Sequence, residues 1–211
     1  CDWSSDVCSS DLFLQDSTNQ TIYWNTHTLD DAWNSTTRKE IQSALEQGIQ
    51  HPNCNACWDE ENTGGKSRRQ WHNELDIDYQ GPENVPLLLD LKLGNICNLK
   101  CRICGSWSSS QFASEEINWT RPEERKDSFS YKMLRAGAWP RENPTFWQEI
   151  DQVVDQIRYI EFTGGEPFMI KEHFDMLQGL VDRGIAGRIE IHYNTNGTQY
   201  PENAEEIWRH F

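Results

Sequence analysis

The sequence is short of positive charge. Nineteen Lys and Arg stand against 34 Asp and Glu, a formal net charge of −15. Nucleic acid and anionic lipid both want a basic face, so neither is an expected partner. The charge reads instead as a solvated surface. Long apolar runs are missing too. The longest purely aliphatic stretch is Leu87-Leu88-Leu89, far short of the roughly 18–20 residues that span a bilayer. Aliphatic side chains are sparse throughout: Leu, Ile, Val and Phe supply 42 of 211 residues, with ten Trp offsetting part of the deficit. That is the low edge for a packed domain and suits a piece of a larger fold. The length suits one domain with a small appendage.

Residues 1–12 read Cys-Asp-Trp-Ser-Ser-Asp-Val-Cys-Ser-Ser-Asp-Leu. One back-translation spells a common short-read sequencing adapter over the whole stretch, so these residues are set aside as an artefact. The natural N-terminus is then expected to be cut, and no targeting signal is read. Cys1 and Cys8 go with the stretch. The other cysteines, Cys54, Cys57, Cys97, Cys101 and Cys104, fall in two tight groups. A disulfide scaffold spreads its cysteines, whereas a metal site clusters them, so a reducing cytoplasm is the expected compartment.

Residues 13–80 form a polar N-terminal segment. Leu29, Trp33, Ile41, Leu45 and Ile49 recur at helical spacing, which predicts one or two amphipathic helices over 28–48. Residues 51–72 carry the first cysteine pair and a polar loop, Asn62 to Ser67. Pro82 and Pro86 punctuate the join. From residue 87 a β-α-β rhythm begins, and residues 85–211 read as one α/β unit. Strands are predicted at 87–93, 159–163 and 188–194. Helices are predicted near 107–119, at 146–157, through Phe174, Leu177, Leu180 and Val181 up to a cap at Gly184, and from 202. Residues 120–145 are polar, hold Pro122, Pro140 and Pro144, and read as an insertion. This alternation predicts a parallel sheet with right-handed crossovers. In each strand one face is apolar (Leu89/Leu91, Ile160/Phe162, Ile189/Ile191/Tyr193). The other is polar (Asp90/Lys92, Glu161/Thr163, Glu190/His192/Asn194). A polar concave face points to an open, partial barrel around a wet or ligand-filled cavity. A sheet with one solvent-exposed face is the alternative, and it is the rarer arrangement for parallel strands.

The chemistry lies in three loops at strand ends, where α/β folds place their sites. Cys97-Asn98-Leu99-Lys100-Cys101-Arg102-Ile103-Cys104 is C-x₃-C-x₂-C after the first strand. Three thiolates from one short loop can hold three irons of a cubane and leave the fourth open to a ligand with an amine and a carboxylate. Zinc also accepts clustered thiolates. Gly164-Gly165-Glu166-Pro167 ends the second strand; alone it is also compatible with a plain turn. Asn194-Thr195-Asn196-Gly197 ends the third, where a type I′ turn explains Asn-Gly equally well.

Together, in this order, the motifs resemble the radical S-adenosylmethionine (SAM) superfamily. The resemblance implies a 4Fe–4S cluster on Cys97, Cys101 and Cys104, and SAM docked against Gly164, Gly165, Glu166 and Pro167, with Asn194 and Asn196 helping to line its site. The glycines are expected to let backbone approach the methionine part of SAM, and Glu166 and the backbone around it to accept hydrogen bonds from its ammonium. The implied reaction is reductive cleavage of SAM to a 5′-deoxyadenosyl radical that abstracts hydrogen from a substrate, with an electron donor such as flavodoxin or ferredoxin. No side chain need act as a base or nucleophile. Asp90, Lys92, Glu161 and His192 read as structural or substrate-positioning. Ile103 departs from the family, which usually places an aromatic residue before the third cysteine.

Cys54-Asn55-Ala56-Cys57-Trp58, preceded by Asp31-Ala32-Trp33-Asn34-Ser35 and followed by Glu60, Glu61, Gly64, Ser67, Arg68 and Arg69, resembles the SPASM auxiliary-cluster module or its shorter twitch form. Two thiolates cannot hold a cluster alone. The pair is an incomplete auxiliary Fe–S site, a zinc site completed by His51 or His72, or metal-free. The fold expected is therefore a partial (β/α) barrel of the radical SAM type, truncated after about three β/α units and preceded by that segment. The resemblance implies six strands, so the third strand is expected to expose an unpaired edge, and the 211 residues alone to be poorly soluble or inactive. A peptide is the favoured substrate and a small molecule such as a sugar or nucleotide the second choice. A non-catalytic zinc or Fe–S binding module is the reading from another class.

Overall fold

The computed structural model describes residues 27–75 and 86–211, together with positions 14, 15, 18, 77, 80 and 81. Residues 1–12, read above as adapter-derived, lie outside the described residues. The chain divides into two compact units, Cys1–Pro82 and Glu83–Phe211.

Among the described residues the first unit holds four short helices: α1 (Leu29–Trp33), α2 (Thr36–Glu46), α3 (Asn55–Asn62) and α4 (Arg68–Asn73). The expected amphipathic stretch breaks in two at Asn34-Ser35, because Ser35 caps α2 by accepting from Arg38 N at 3.3 Å. Thr28 and Asp31 form a reciprocal capping box on α1. Cys54 is buried in a 3-10 turn, Pro52–Cys54, that runs into α3. Buried Trp58 donates its indole N–H to the His51 carbonyl at 3.2 Å, and the Arg69 guanidinium lies 4.4 Å from its ring centre. Arg69 also grips Glu61 with two bonds, Nε–Oε1 at 3.1 Å and Nη2–Oε2 at 2.6 Å. The Arg69 and Ser67 hydrogen bonds hold the Glu61 carboxyl below its usual pKa. These contacts tie α3 to α4 across the loop read as merely polar.

The second unit alternates strands and helices: β1 (Leu88–Lys92), α5 (Ser110–Trp119), α6 (Phe129–Ala136), α7 (Trp139–Glu142), α8 (Pro144–Val153), β2 (Tyr159–Thr163), α9 (Lys171–Asp182), β3 (Glu190–Tyr193) and α10 (Ala204–Trp208). The strands form a small parallel sheet in the order β1-β2-β3. This mixed α/β architecture is compatible with part of a radical SAM barrel. Period-2 alternation sorts the side chains as their polarity demands. Register aligns Leu89, Ile160 and Ile191 on the apolar side and Asp90, Glu161 and His192 on the polar side. Central β2 is buried along its whole length, so the polar face is largely covered there: Glu161 is 6% exposed and Thr163 8%. Asn194 Nδ2 donates to Glu161 Oε1 at 2.6 Å. Helix α9 ends as expected at Gly184, φ +69°. Ile185 N bonds to Leu180 O at 3.1 Å and Gly184 N to Val181 O at 2.9 Å, a Schellman motif.

Residues 120–145, expected as an insertion, carry α6 and α7; α6 packs along α5, and the turn from α6 into α7 lies against the end of β1. The buried Trp139 indole donates to the Lys92 carbonyl at 3.2 Å. Gly137 lies so close to the chain after β1 that a Cβ there would stand 1.7 Å from Asn95 Oδ1.

His173 on α9 is fully buried. Trp208 Nε1 donates to the Tyr193 hydroxyl at 3.3 Å, and that hydroxyl is hydrogen-bonded to His173 Nε2 at 3.1 Å. Desolvation lowers the His173 pKa from 6.5 to about 3. Between those values the unfolded chain binds a proton that the folded one refuses. The stabilisation is therefore complete above pH 6.5 and declines by about 1.4 kcal/mol per pH unit on acidification toward 3. Urea unfolding across this window should show the loss, and His173→Phe should flatten it. An equal slope in both proteins contradicts the assignment.

Candidate functional site

The cysteine loop starts where β1 stops. Leu93 N bonds to Thr163 O at 2.9 Å, so the chain leaves the sheet still paired with β2. Asn95 then turns it: its side chain donates to Ser106 O at 2.7 Å, and its carbonyl accepts from Ser110 N at 2.6 Å. Ser109, the N-cap of α5, donates to Leu99 O at 2.6 Å, and Ser110 Oγ lies 3.3 Å from both Cys97 N and Cys97 O. The start of α5 is thereby fastened to the loop.

Cys97 is buried, Cys104 half-buried and Cys101 exposed. The Cys104 thiol is pushed above its ordinary pKa, by burial first, then by the charges of Cys101 and Cys97, then by a hydrogen bond with Cys101. The charges of Cys101 and Cys97 thus reach the Cys104 sulfur and oppose its ionisation. A cationic metal group relieves that opposition, as ligand thiolates require. Among the described residues no three His, Cys, Asp or Glu side chains gather around one point as a single ion requires. Three thiolates on one short loop are the donor set that a cubane cluster takes, and zinc accepts clustered thiolates as well. Ile103, 92% exposed, and Trp107, 40% exposed, put apolar surface beside it.

The Gly164-Gly165-Glu166-Pro167 turn lies directly against this loop. Gly165 N bonds to Gly94 O at 3.0 Å, and Glu166 N to Ile96 O at 2.7 Å. Gly164 has φ +121°. A Cβ on Gly164 would stand 2.8 Å from both Gly94 O and Leu93 N, and one on Gly165 only 2.2 Å from Ile96 O. Here the glycines admit the protein's own backbone. The chain that leads into Cys97 packs directly on them.

Glu166, expected beside the SAM ammonium, also ties the loops together. Its side chain is 0% exposed. Oε1 accepts from Phe168 N at 3.1 Å and from Thr195 Oγ1 at 2.6 Å, and Oε2 accepts from Asn196 N at 2.7 Å. The carboxylate binds the second loop to the third. Pro167 is buried and opens the 3-10 turn that follows. Asn196 in turn reaches the first loop: Nδ2 is 3.6 Å from Cys97 Sγ and 3.1 Å from Asn98 Oδ1. Asn194 instead points back at Glu161 on the sheet. The three motif loops thus form one body.

Sequence reading missed Asn95, Asn98, Thr195 and Thr198 as parts of this lock. Only Ser109-Ser110, a helix-start signal, was open to recognition. The other cysteine pair lies where the 3-10 turn Pro52–Cys54 runs into α3. Cys54 is buried and Cys57 half-buried. His51 Nδ1 accepts from Asn53 N at 3.2 Å, and His72 packs edge-on to Trp71 at 5.0 Å. No three-ligand zinc arrangement gathers there among the described residues.

No curated protein and no solved structure matches the chain. The family model for the radical SAM superfamily matches residues 91–210, from the end of β1 through α10 and across all three loops. That match covers more than half of the chain and the whole of the lock described above, and the protein belongs to the radical SAM superfamily.

Proposed function

We propose that Glu83–Phe211 is the cluster- and SAM-binding part of a radical SAM enzyme, with Cys97, Cys101 and Cys104 as the cluster ligands. When bound, the 4Fe–4S cluster and SAM supply one-electron cleavage of SAM and a 5′-deoxyadenosyl radical for hydrogen abstraction. The rest falls to side chains and backbone. The three thiolates fix the cluster and leave a coordination position for SAM. The backbone of Gly164, Gly165 and Pro167, with Asn194 and Asn196, frames that position. The Glu166 carboxylate holds the frame rather than the ligand. Ile103 and Trp107 offer apolar surface for the adenosyl group, and Asp90, Glu161 and His192 a polar row for substrate.

The observation that carries this reading is the lock itself: Glu166 binds the third loop while its own N–H binds the chain entering Cys97. Within this reading the N-terminal unit is a SPASM- or twitch-like segment. Cys54 and Cys57 contribute to an auxiliary Fe–S site whose other ligands lie elsewhere. The substrate is a peptide, the chemistry an oxidoreduction in the cytoplasm, and the electron donor a flavodoxin or ferredoxin. A small-molecule substrate is the second reading, supported by the polar row of Asp90, Glu161 and His192 on one side of the sheet.

Single alanine substitutions separate the two cysteine groups. Cys97→Ala, Cys101→Ala or Cys104→Ala should abolish the visible iron–sulfur absorbance of that cluster and all SAM cleavage. Cys54→Ala should keep SAM cleavage and lose only additional iron. SAM cleavage surviving in any of the first three overturns the assignment.

A further inference from the structure

Asn196 occupies an unusual position. Its backbone N–H is bound to buried Glu166, so its main chain is fixed. Its amide is fixed as well. Oδ1 accepts from Thr198 N at 2.9 Å and from Thr198 Oγ1 at 2.6 Å. Asn98 Nδ2 donates to Thr198 Oγ1 at 2.7 Å, and Asn98 Oδ1 accepts from Asn196 Nδ2 at 3.1 Å. Asn98, Thr198 and Asn196 thus close a ring of hydrogen bonds in which every donor meets an acceptor. The ring leaves one orientation for the Asn196 amide, with its NH₂ toward the first loop. There Nδ2 stands 3.6 Å from Cys97 Sγ, within range of a weak N–H···S bond. Leu99 N is a second donor to the same sulfur at 3.4 Å.

We propose that Asn196 is a positioning residue that tunes the reduction potential of the cluster, donating to the Cys97 thiolate through an amide locked by Thr198 and Asn98. The physical basis is charge. Reduction adds one electron to the cluster and its ligands, and a donor aimed at a ligand sulfur stabilises the more negative state. Hydrogen bonds to cluster sulfurs are among the determinants of such potentials. A donor fixed before reduction does this without reorganisation. The Asn98–Thr198 ring keeps the donor in place although the surrounding residues are exposed to water, which competes for a free amide.

The inference rests on the cluster assignment above, and the experiment separates the two. The full chain is reconstituted anaerobically with iron and sulfide. Its one-electron potential is then measured by an electron-paramagnetic-resonance (EPR) redox titration for the native protein, Asn196→Ala, Asn196→Asp and Thr198→Val. Asn196→Ala should lower the reduced-to-oxidised ratio at fixed potential by about tenfold, a shift of about 59 mV to the negative for one electron. Asn196→Asp, which replaces a donor by an anion, should shift it further. Thr198→Val keeps the amide but opens the ring and should move the potential less, in the same direction. An Asn196 residue with only a structural role would change cluster content and leave the potential of the loaded fraction where it was. Equal potentials in native, Asn196→Ala and Asn196→Asp protein overturn the inference and leave the cluster assignment standing. If the Asn196 variants take up no cluster, an unshifted Thr198→Val protein overturns it. Failure of the native protein to bind a cluster defeats both.

Discussion

Gly165→Ala is expected to leave the protein unable to hold most of its iron. The added Cβ would meet Ile96 O at 2.2 Å, Ile96 C at 2.6 Å and Asn95 C at 2.7 Å, all of them backbone atoms. No rotamer change relieves such contacts. The turn must part from the chain at residues 94–96, and both the Gly165–Gly94 and Glu166–Ile96 bonds go with it. Cys97 is the next residue, so the separation displaces a ligand of the cluster. Overpacking of this kind costs about 1–3 kcal/mol, occasionally more, and the lost backbone bonds add to it. Iron analysis and urea unfolding measure the two effects. Gly179→Ala is the control. It lies in α9, its added Cβ meets nothing within 4 Å, and it should be neutral or stabilising by up to about 1 kcal/mol. A Gly165→Ala protein with native iron content and stability contradicts the packing described.

Glu166→Ala should have an effect of similar size through the opposite cause, a removed acceptor. Phe168 N, Thr195 Oγ1 and Asn196 N all donate to that carboxylate. With it gone, three part-buried donors lose their acceptor. Each unsatisfied buried group costs about 1–3 kcal/mol before water or relaxation recovers part of it, so a loss of about 3–5 kcal/mol is expected. Glu166→Gln should fall between, because its amide can accept at one oxygen but presents N–H to one of the three donors. The observable is the unfolding midpoint without cluster or SAM. A ligand-binding glutamate would leave that midpoint almost unchanged when removed, whereas a structural one lowers it.

The loops' existence and order were legible in the sequence because each motif sits at the end of a strand, and strand alternation gave the strands. Leu89 and Leu91 against Asp90 and Lys92 announce both faces of β1 without any tertiary information. What the loops do to one another was not legible. Gly165 and Glu166 invite a reading toward a ligand, since glycine permits approach and a carboxylate attracts an ammonium. The approach and the hydrogen bonds go to Ile96, Thr195 and Asn196, residues separated from them by long stretches of chain. No local pattern records such a pairing. The same holds for Trp139 and Gly137, whose polar, proline-punctuated surroundings read as an insertion until the indole is seen on the Lys92 carbonyl. His173 illustrates a third kind of gap. Helical spacing placed Phe174, Leu177 and Leu180 in the core. A titratable ring beside them is acceptable only because Tyr193, from β3, gives it a partner.

The central claim is that Cys97, Cys101 and Cys104 carry a cluster whose open metal position takes SAM beside the glycine turn. EPR of the reconstituted, dithionite-reduced chain with and without SAM tests it most directly. The account predicts the signal of a reduced 4Fe–4S cluster whose shape changes when SAM is added, with both signal and change gone in Cys101→Ala. A colourless protein with zinc at these thiols, or a cluster signal indifferent to SAM, would contradict it.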